Sequence, residues 1–182
     1  MNDAKTKIIL KVKKSDWFID YEAKVGGVME LSGYTQGGRD QVKQVIRRVL
    51  KAEKPLPRRV EEIATNVVRH IALWVEVYKV EGAAAGMTAD LGEYSSITIY
   101  AALYYETDRG WMAELRAVLD GSDGFTHNAR HRVVKTVKLG RELDGRIDML
   151  LKGLMKVARH TYNAYVEEED NDAPTSLRTW TR

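Results

Sequence analysis

Residues 58–80 constrain the fold more than any other part of the chain. Val60, Ile63, Ala64, Val67, Val68, Ile71, Trp74, Val75 and Tyr78 recur at three- and four-residue intervals, the period of a helix that buries one stripe. A stripe of that length has to be covered, so other elements must pack on it. Pro55 and Pro57 stand just before it; they end any preceding helix and suit the start of a new one.

The preceding helix is expected over residues 39–53. Val42, Val45, Ile46, Val49 and Leu50 form its apolar stripe, and Arg39, Lys43, Arg47, Lys51 and Lys54 lie opposite. A third helix is expected over residues 96–119, with Asp108-Arg109-Gly110 as an interruption. The β-branched and aromatic residues of 97–105 also suit a strand. A fourth helical region is expected over 128–166, bent near Gly140 or Gly145, with Val133, Val137, Leu143, Ile147, Leu150, Leu154 and Val157 inside. The small residues of 82–92 read as a connecting loop.

The N-terminus follows a different period. Ile8, Leu10 and Val12 alternate with Lys7, Lys11 and Lys13, and residues 17–25 alternate again, so the pair reads as a β-hairpin. A helix from residue 16 capped by Ser15 is the competing assignment; it would hold Gly26 and Gly27 at about 1 kcal/mol each. The expected fold is therefore mainly α: a bundle of about four long amphipathic helices with a small N-terminal β-hairpin. Its parts would be a strand region at 1–34, the bundle at 35–166 and an acidic, extended tail at 167–182.

Composition narrows the class. Hydrophobic residues make up 44% and charged residues 30% of 182, which suits a globular domain with one core. The absence of cysteine excludes disulfides, thiolate catalysis and Cys-ligated zinc. The longest uncharged run, residues 94–105, is too short and too polar to span a bilayer. The start of the chain lacks the apolar stretch of a cleavable signal peptide. The expected location is cytoplasmic or within a virion. Scarce Gln with abundant Lys, Arg, Glu and Val gives a thermophile-like balance.

The net charge is only +3, but it is unevenly spread. Residues 39–59 carry Arg39, Lys43, Arg47, Arg48, Lys51, Lys54, Arg58 and Arg59 against only Asp40 and Glu53. A second basic segment holds Arg130, Arg132, Lys135, Lys138 and Arg141, and a third holds Lys7, Lys11 and Lys13. The compensating acids cluster at Glu167, Glu168, Glu169, Asp170 and Asp172. Such segregation builds a field suited to an anionic polymer. Arg39 to Lys51 would span about 18 Å of helix and follow a phosphate backbone; Arg132, Lys135, Lys138 and Arg141 would form a similar helical row. No aromatic residues interleave with either row, which favours duplex DNA over base-stacked single strands.

Catalytic chemistry finds no motif. His127 and His131 stand four apart, but the residues between them are Asn-Ala-Arg, without the Glu of a zinc-helix motif. Asp120-Gly-Ser-Asp123-Gly lacks the later oxygen ligands of a calcium loop. No phosphate-binding glycine loop occurs. Neither a metal, a cofactor nor a small-molecule substrate is expected. Trp180, isolated in a polar tail, is a candidate contact with a neighbouring subunit.

One resemblance concerns residues 7–51. Lys7-Ile-Ile-Leu-Lys-Val-Lys13 followed by Arg39-Asp-Gln-Val-Lys-Gln-Val-Ile-Arg-Arg48 resembles a ribbon-helix-helix module. The resemblance implies a dimer that sets Lys7, Ile9, Lys11 and Lys13 in a major groove. The leading functional expectation is a non-enzymatic protein that coats or packages duplex nucleic acid in many copies. The alternatives are a ribbon-helix-helix-like transcription regulator, a helical small subunit of a ribonucleoprotein machine, and a scaffold without a nucleic-acid partner.

Overall fold

The structure is a computed structural model that describes residues 7–14, 19–26, 29–35, 38–51, 54–92, 95–121, 131–143 and 145–180; side chains of Arg48, Gly121 and residues 164–180 are outside the description. Its centre is a seven-stranded antiparallel sheet. The strands are β1 (Ile8–Lys14), β2 (Ile19–Val25), β3 (Met29–Thr35), β4 (Gly82–Asp90), β5 (Ser95–Glu106), β6 (Gly110–Gly121) and β7 (His131–Gly140), in the spatial order β1-β2-β3-β7-β6-β5-β4. Helices α1 (Arg39–Lys51) and α2 (Arg58–Ala72) link β3 to β4, and α3 (Ile147–Trp180) follows β7. The last turn of α2 widens to π geometry over Leu73–Val77.

The helical bundle expected from sequence is therefore replaced by a sheet with helices on one face. The correction has a local cause in each strand. In β6, Trp111, Ala113, Leu115, Ala117 and Leu119 alternate with Met112, Glu114, Arg116 and Val118. Most of these residue types are good helix formers, and Met112 and Val118 blur the period of two. In β7, Val133, Val134 and Val137 mimic helical spacing, yet strand geometry sends Val133 and Val137 to one face and Val134 to the other. β4 has almost no side-chain signal, and what makes it a strand is its full-length pairing with β5. The segment 108–110 is a hairpin turn and not a break in a helix. α3 is helical to Trp180, over the stretch read from sequence as an extended tail.

The alternation does mark paired strands over residues 8–14 and 19–25; residues 17 and 18 of the expected second strand lie outside the described residues. β1 and β2 pair antiparallel with Val12 opposite Tyr21. β2 leads into β3, with Tyr21 opposite Gly33, instead of into the helix that a ribbon-helix-helix module requires. That resemblance does not survive the topology.

One face of the sheet is apolar. Tyr21, Ala23, Leu31, Ile97, Ile99, Ala101, Leu103, Ala113, Leu115, Ala117 and Val133 are buried there. Against them lie Val42, Val45 and Val49 of α1, Val60, Ala64, Val67 and Ile71 of α2, and Leu150, Leu154 and Val157 of α3. Full burial of one such aliphatic side chain contributes about 1.5–3 kcal/mol, so this layer dominates folding. The stripe of α2 ends with Ile71 and Val75; Trp74 and Tyr78 turn outward. Tyr21 and His131 partner each other in this layer. The Tyr21 hydroxyl lies 2.7 Å from His131 Nδ1, reaching over Gly33, which pairs with both residues' strands. A side chain at position 33 would occupy that path.

The β5–β6 hairpin is closed by three residues, Thr107-Asp108-Arg109, with the Arg109 N–H donating to the Glu106 carbonyl at 3.2 Å. Gly110 then adopts φ +80, and a Cβ there would lie 2.6 Å from the Gly140 carbonyl oxygen. Glycine is required on both counts. Tyr105 and Trp111 meet edge to face beside the turn, centroids 5.5 Å apart. Gly110→Ala is expected to cost at least ~2 kcal/mol, measured as a lower urea midpoint with unchanged slope; a midpoint within error of the wild type would contradict this close approach.

Candidate polyanion-binding face

Helix α1 starts as its first turn bonds back to Gly38, with Gln41 N–H donating at 3.0 Å. Its apolar stripe is fixed to the core by Val42, Val45, Ile46 and Val49. Helical periodicity then places Arg39, Lys43, Arg47 and Lys51 on the exposed side, as their spacing leads one to expect. The side chain of Arg48 is outside the described residues.

Helix α3 repeats the arrangement. Leu150, Leu154, Val157 and Ala158 face inward, and Lys152, Lys156 and Arg159 are exposed. α1 and α3 pack side by side. Between them runs a groove of about 610 Å³, lined by Leu50, Lys51, Leu151, Lys152, Met155, Lys156, Arg159 and His160. Its floor is aliphatic and its rim cationic, and none of the described residues that line it is a carboxylate. Sequence reasoning missed the α3 cations. The signal was present: Lys152, Lys156 and Arg159 stand at i, i+4 and i+7, opposite a regular apolar stripe.

His160 joins the two helices. Its Nδ1 and the Val49 carbonyl are 2.5 Å apart, so Nδ1–H satisfies one of the carbonyls that the end of α1 leaves unpaired. Burial, the largest effect, lowers the pKa of His160; Lys156 and Lys135 push the same way, and the Val49 bond opposes them. The imidazole is held neutral. The positive field of the groove thus comes from lysine and arginine and does not fade above neutral pH. Nε2 of His160 is buried and has no hydrogen-bond partner among the described residues.

The other basic residues singled out from sequence are dispersed. Residues 132, 135, 138 and 141 do not form a helical row, because β7 is a strand. Arg132 and Lys138 are exposed on the uncovered face of the sheet, and Lys135 points to the helix side. Arg141 lies just past the strand, Nη1 donating to the Thr107 carbonyl at 3.5 Å. Lys11 and Lys13 sit opposite Glu22 and Asp20 on β2, and Lys7 is exposed just before β1. Arg58 pairs with Glu62 at 3.2 Å. Arg59 Nη1 donates to the Asp90 carbonyl at 2.9 Å and so ties α2 to β4. Arg130, His127 and the Trp180 side chain lie outside the described residues. His131 is a buried partner of Tyr21 and not half of an exposed histidine pair. Among the described residues no group of acids and histidines could hold a metal ion.

The uncovered sheet face offers a basin of about 650 Å³ that includes Lys24, Glu30, Glu114, Arg116, Arg132 and Lys138. Arg116 is engaged there by Glu114 and by the Tyr100 ring, 5.2 Å from the guanidinium carbon. Carboxylates alternate with cations across this face, so no field of one sign develops. The α1–α3 face, where the exposed cations outnumber the exposed acids Asp40 and Asp148, is the stronger candidate. No described helix is long and apolar enough to cross a membrane. Comparison with protein families, with curated proteins and with solved structures finds no match for this chain.

The neutral His160 has a pH consequence. Its pKa in the folded chain lies below the ordinary value of about 6.5. Above that value neither state binds the proton; below it the unfolded chain does and the folded chain does not. Stability is therefore full above pH ~6.5 and falls as the pH drops through it. His160→Gln, which keeps an N–H donor for Val49, is expected to show a flatter dependence of the urea midpoint between about pH 7 and 5. Parallel curves for the two proteins would contradict the assignment.

Proposed function

We propose that this protein is a non-enzymatic nucleic-acid-binding protein that holds the phosphate backbone of duplex DNA on its α1–α3 face and acts in many copies along the polymer. One observation carries the reading. Two adjacent helices present Lys43, Arg47, Lys51, Lys152, Lys156 and Arg159 outward, and no acid is among the described residues that line the groove between them. Cations one helical turn apart can follow successive phosphates and release condensed counterions. Lysine and arginine contacts to phosphates position the duplex without reading its sequence. The aliphatic floor of Leu50, Leu151 and Met155 supports the lysine stems while their ammonium groups stay solvated.

The test is a salt titration of binding to a random-sequence DNA duplex, with a matched RNA duplex beside it. Affinity is expected to fall steeply with salt. Reversing Lys152 and Lys156 to Glu should weaken binding at least about tenfold and flatten the log–log slope by about 2, since each phosphate no longer neutralised lowers it by about 0.9. Reversing Lys11 and Lys13 on β1 should change little. No binding to either duplex at low salt, or equal losses from both pairs, would refute the proposal.

A further inference from the structure

Among the described residues, one group at the α1–α3 face can exchange a proton near neutral pH. Between about pH 5.5 and 7.5 lysines and arginines stay protonated and the phosphates of a duplex stay ionised, so neither side of the proposed contact changes charge there. Histidine is the side chain that titrates in this range. The described histidines are His70, His131 and His160. His131 is buried against the Tyr21 hydroxyl at 2.7 Å, and His70 accepts from Trp74 Nε1 at 3.1 Å at the end of α2. His160 is the one of the three that lines the groove, together with Lys51, Lys152, Lys156 and Arg159.

The ring of His160 can take a proton without losing a bond. Its Nδ1 is held by the Val49 carbonyl, and that N–H is present in the neutral and in the cationic ring alike. Nε2, the atom the proton would enter, is buried and has no hydrogen-bond partner among the described residues, so no donor has to be displaced. In the free protein burial, the largest effect, keeps the proton away. Lys156 on the same helix and Lys135 on β7 add to it as like charges, and the Val49 bond works against them. Lys51 of α1 and Lys152 and Arg159 of α3 line the same groove, with no carboxylate among the described residues that line it. Glu114 and Arg116 of β6 stand on the opposite face of the sheet, and no charged group of α2 acts on the ring.

We propose that His160 takes up one proton as phosphates fill the α1–α3 groove, so that this face holds nucleic acid more tightly as the pH falls from about 7.5 to 5.5. Phosphates are the cause, so the coupling rests on the proposed nucleic-acid contact. They neutralise Lys156 and its neighbours, and they bring negative charge beside a ring whose burial limits screening by salt. A phosphate oxygen, directly or through a water, also supplies the acceptor that a proton on Nε2 needs. The proton comes from solvent and enters the Nε2 lone pair, and the bond to Val49 is kept throughout. Linkage makes the effect reciprocal: if phosphate raises the proton affinity of His160, the proton raises the affinity for phosphate by the same factor. The face then carries one cation more when occupied than when free.

Two measurements on the full chain at constant ionic strength test the coupling. The first follows the His160 ring resonances across pH with and without a saturating random-sequence DNA duplex; the titration midpoint should lie higher in the complex. The second compares duplex affinity at about pH 5.5 and pH 7.5. Binding should tighten at least about threefold toward the lower pH, against a ceiling of about tenfold per pH unit for a single proton. His160→Gln should lose most of that gain, and His70→Gln should keep it. Circular dichroism at both pH values establishes that each protein is folded; should His160→Gln fail that control, the ring titration of the unaltered chain carries the test. Duplex binding with an unmoved midpoint, or with the same pH dependence in His160→Gln, would overturn the coupling and leave the proposed function standing. No duplex binding at either pH would overturn both.

Discussion

Everything in this protein depends on the packing of three helices against one face of an antiparallel sheet. Ile97, Ile99, Leu103 and Leu115 on the sheet and Val60, Ile71, Leu150 and Leu154 on the helices are each almost fully buried. Neither layer could bury its apolar side alone. The consequences for the surface are geometric. Once the helices have turned their stripes inward, their charged sides must point to solvent, and the cations of α1 and α3 come together because the two helices are neighbours. No described element covers the far face of the sheet, where Lys11, Lys13 and Lys24 stand opposite Glu22, Asp20 and Glu30.

That contrast decides between the basic segments. A count along the chain treats residues 39–51, 130–141 and 7–13 alike. The fold does not. It keeps the first as a mainly cationic face, with Asp40 alone against it, and extends it with Lys152, Lys156 and Arg159. It splits the second between the two faces of β7, and it pairs the third with Asp20 and Glu22. His160 contributes by position and not by charge, joining α1 to α3 while its burial keeps the ring neutral.

How much was legible in the sequence follows from which signals are local. The α1 stripe and the start of α2 were readable because helical periodicity needs no partner. The strands over 8–14 and 19–25 were readable because lysines and acids alternate cleanly with aliphatics. β5, β6 and β7 were hidden by residues that serve either structure: alanine, leucine, methionine and glutamate in β6, and valines at helix-like spacing in β7. Their strand identity is settled by long-range pairing, such as Arg116 with Val134 and Tyr100, which no window of sequence contains. The ribbon-helix-helix likeness rested on one strand and one helix whose intervening residues form two more strands. The cationic row of α3 is legible too, as Lys152, Lys156 and Arg159 at i, i+4 and i+7 opposite the apolar stripe.

The central claim is that the cations gathered on the α1–α3 face, and not those on the open sheet, engage the polymer. The most direct measurement is a map of backbone amide chemical-shift changes as a short DNA duplex is titrated into the labelled protein. The account predicts that the largest changes fall at residues 43–51 and 152–160, with residues 20–24 and 132–138 little affected. Changes centred on the open sheet face, or none at all at low salt, would contradict it.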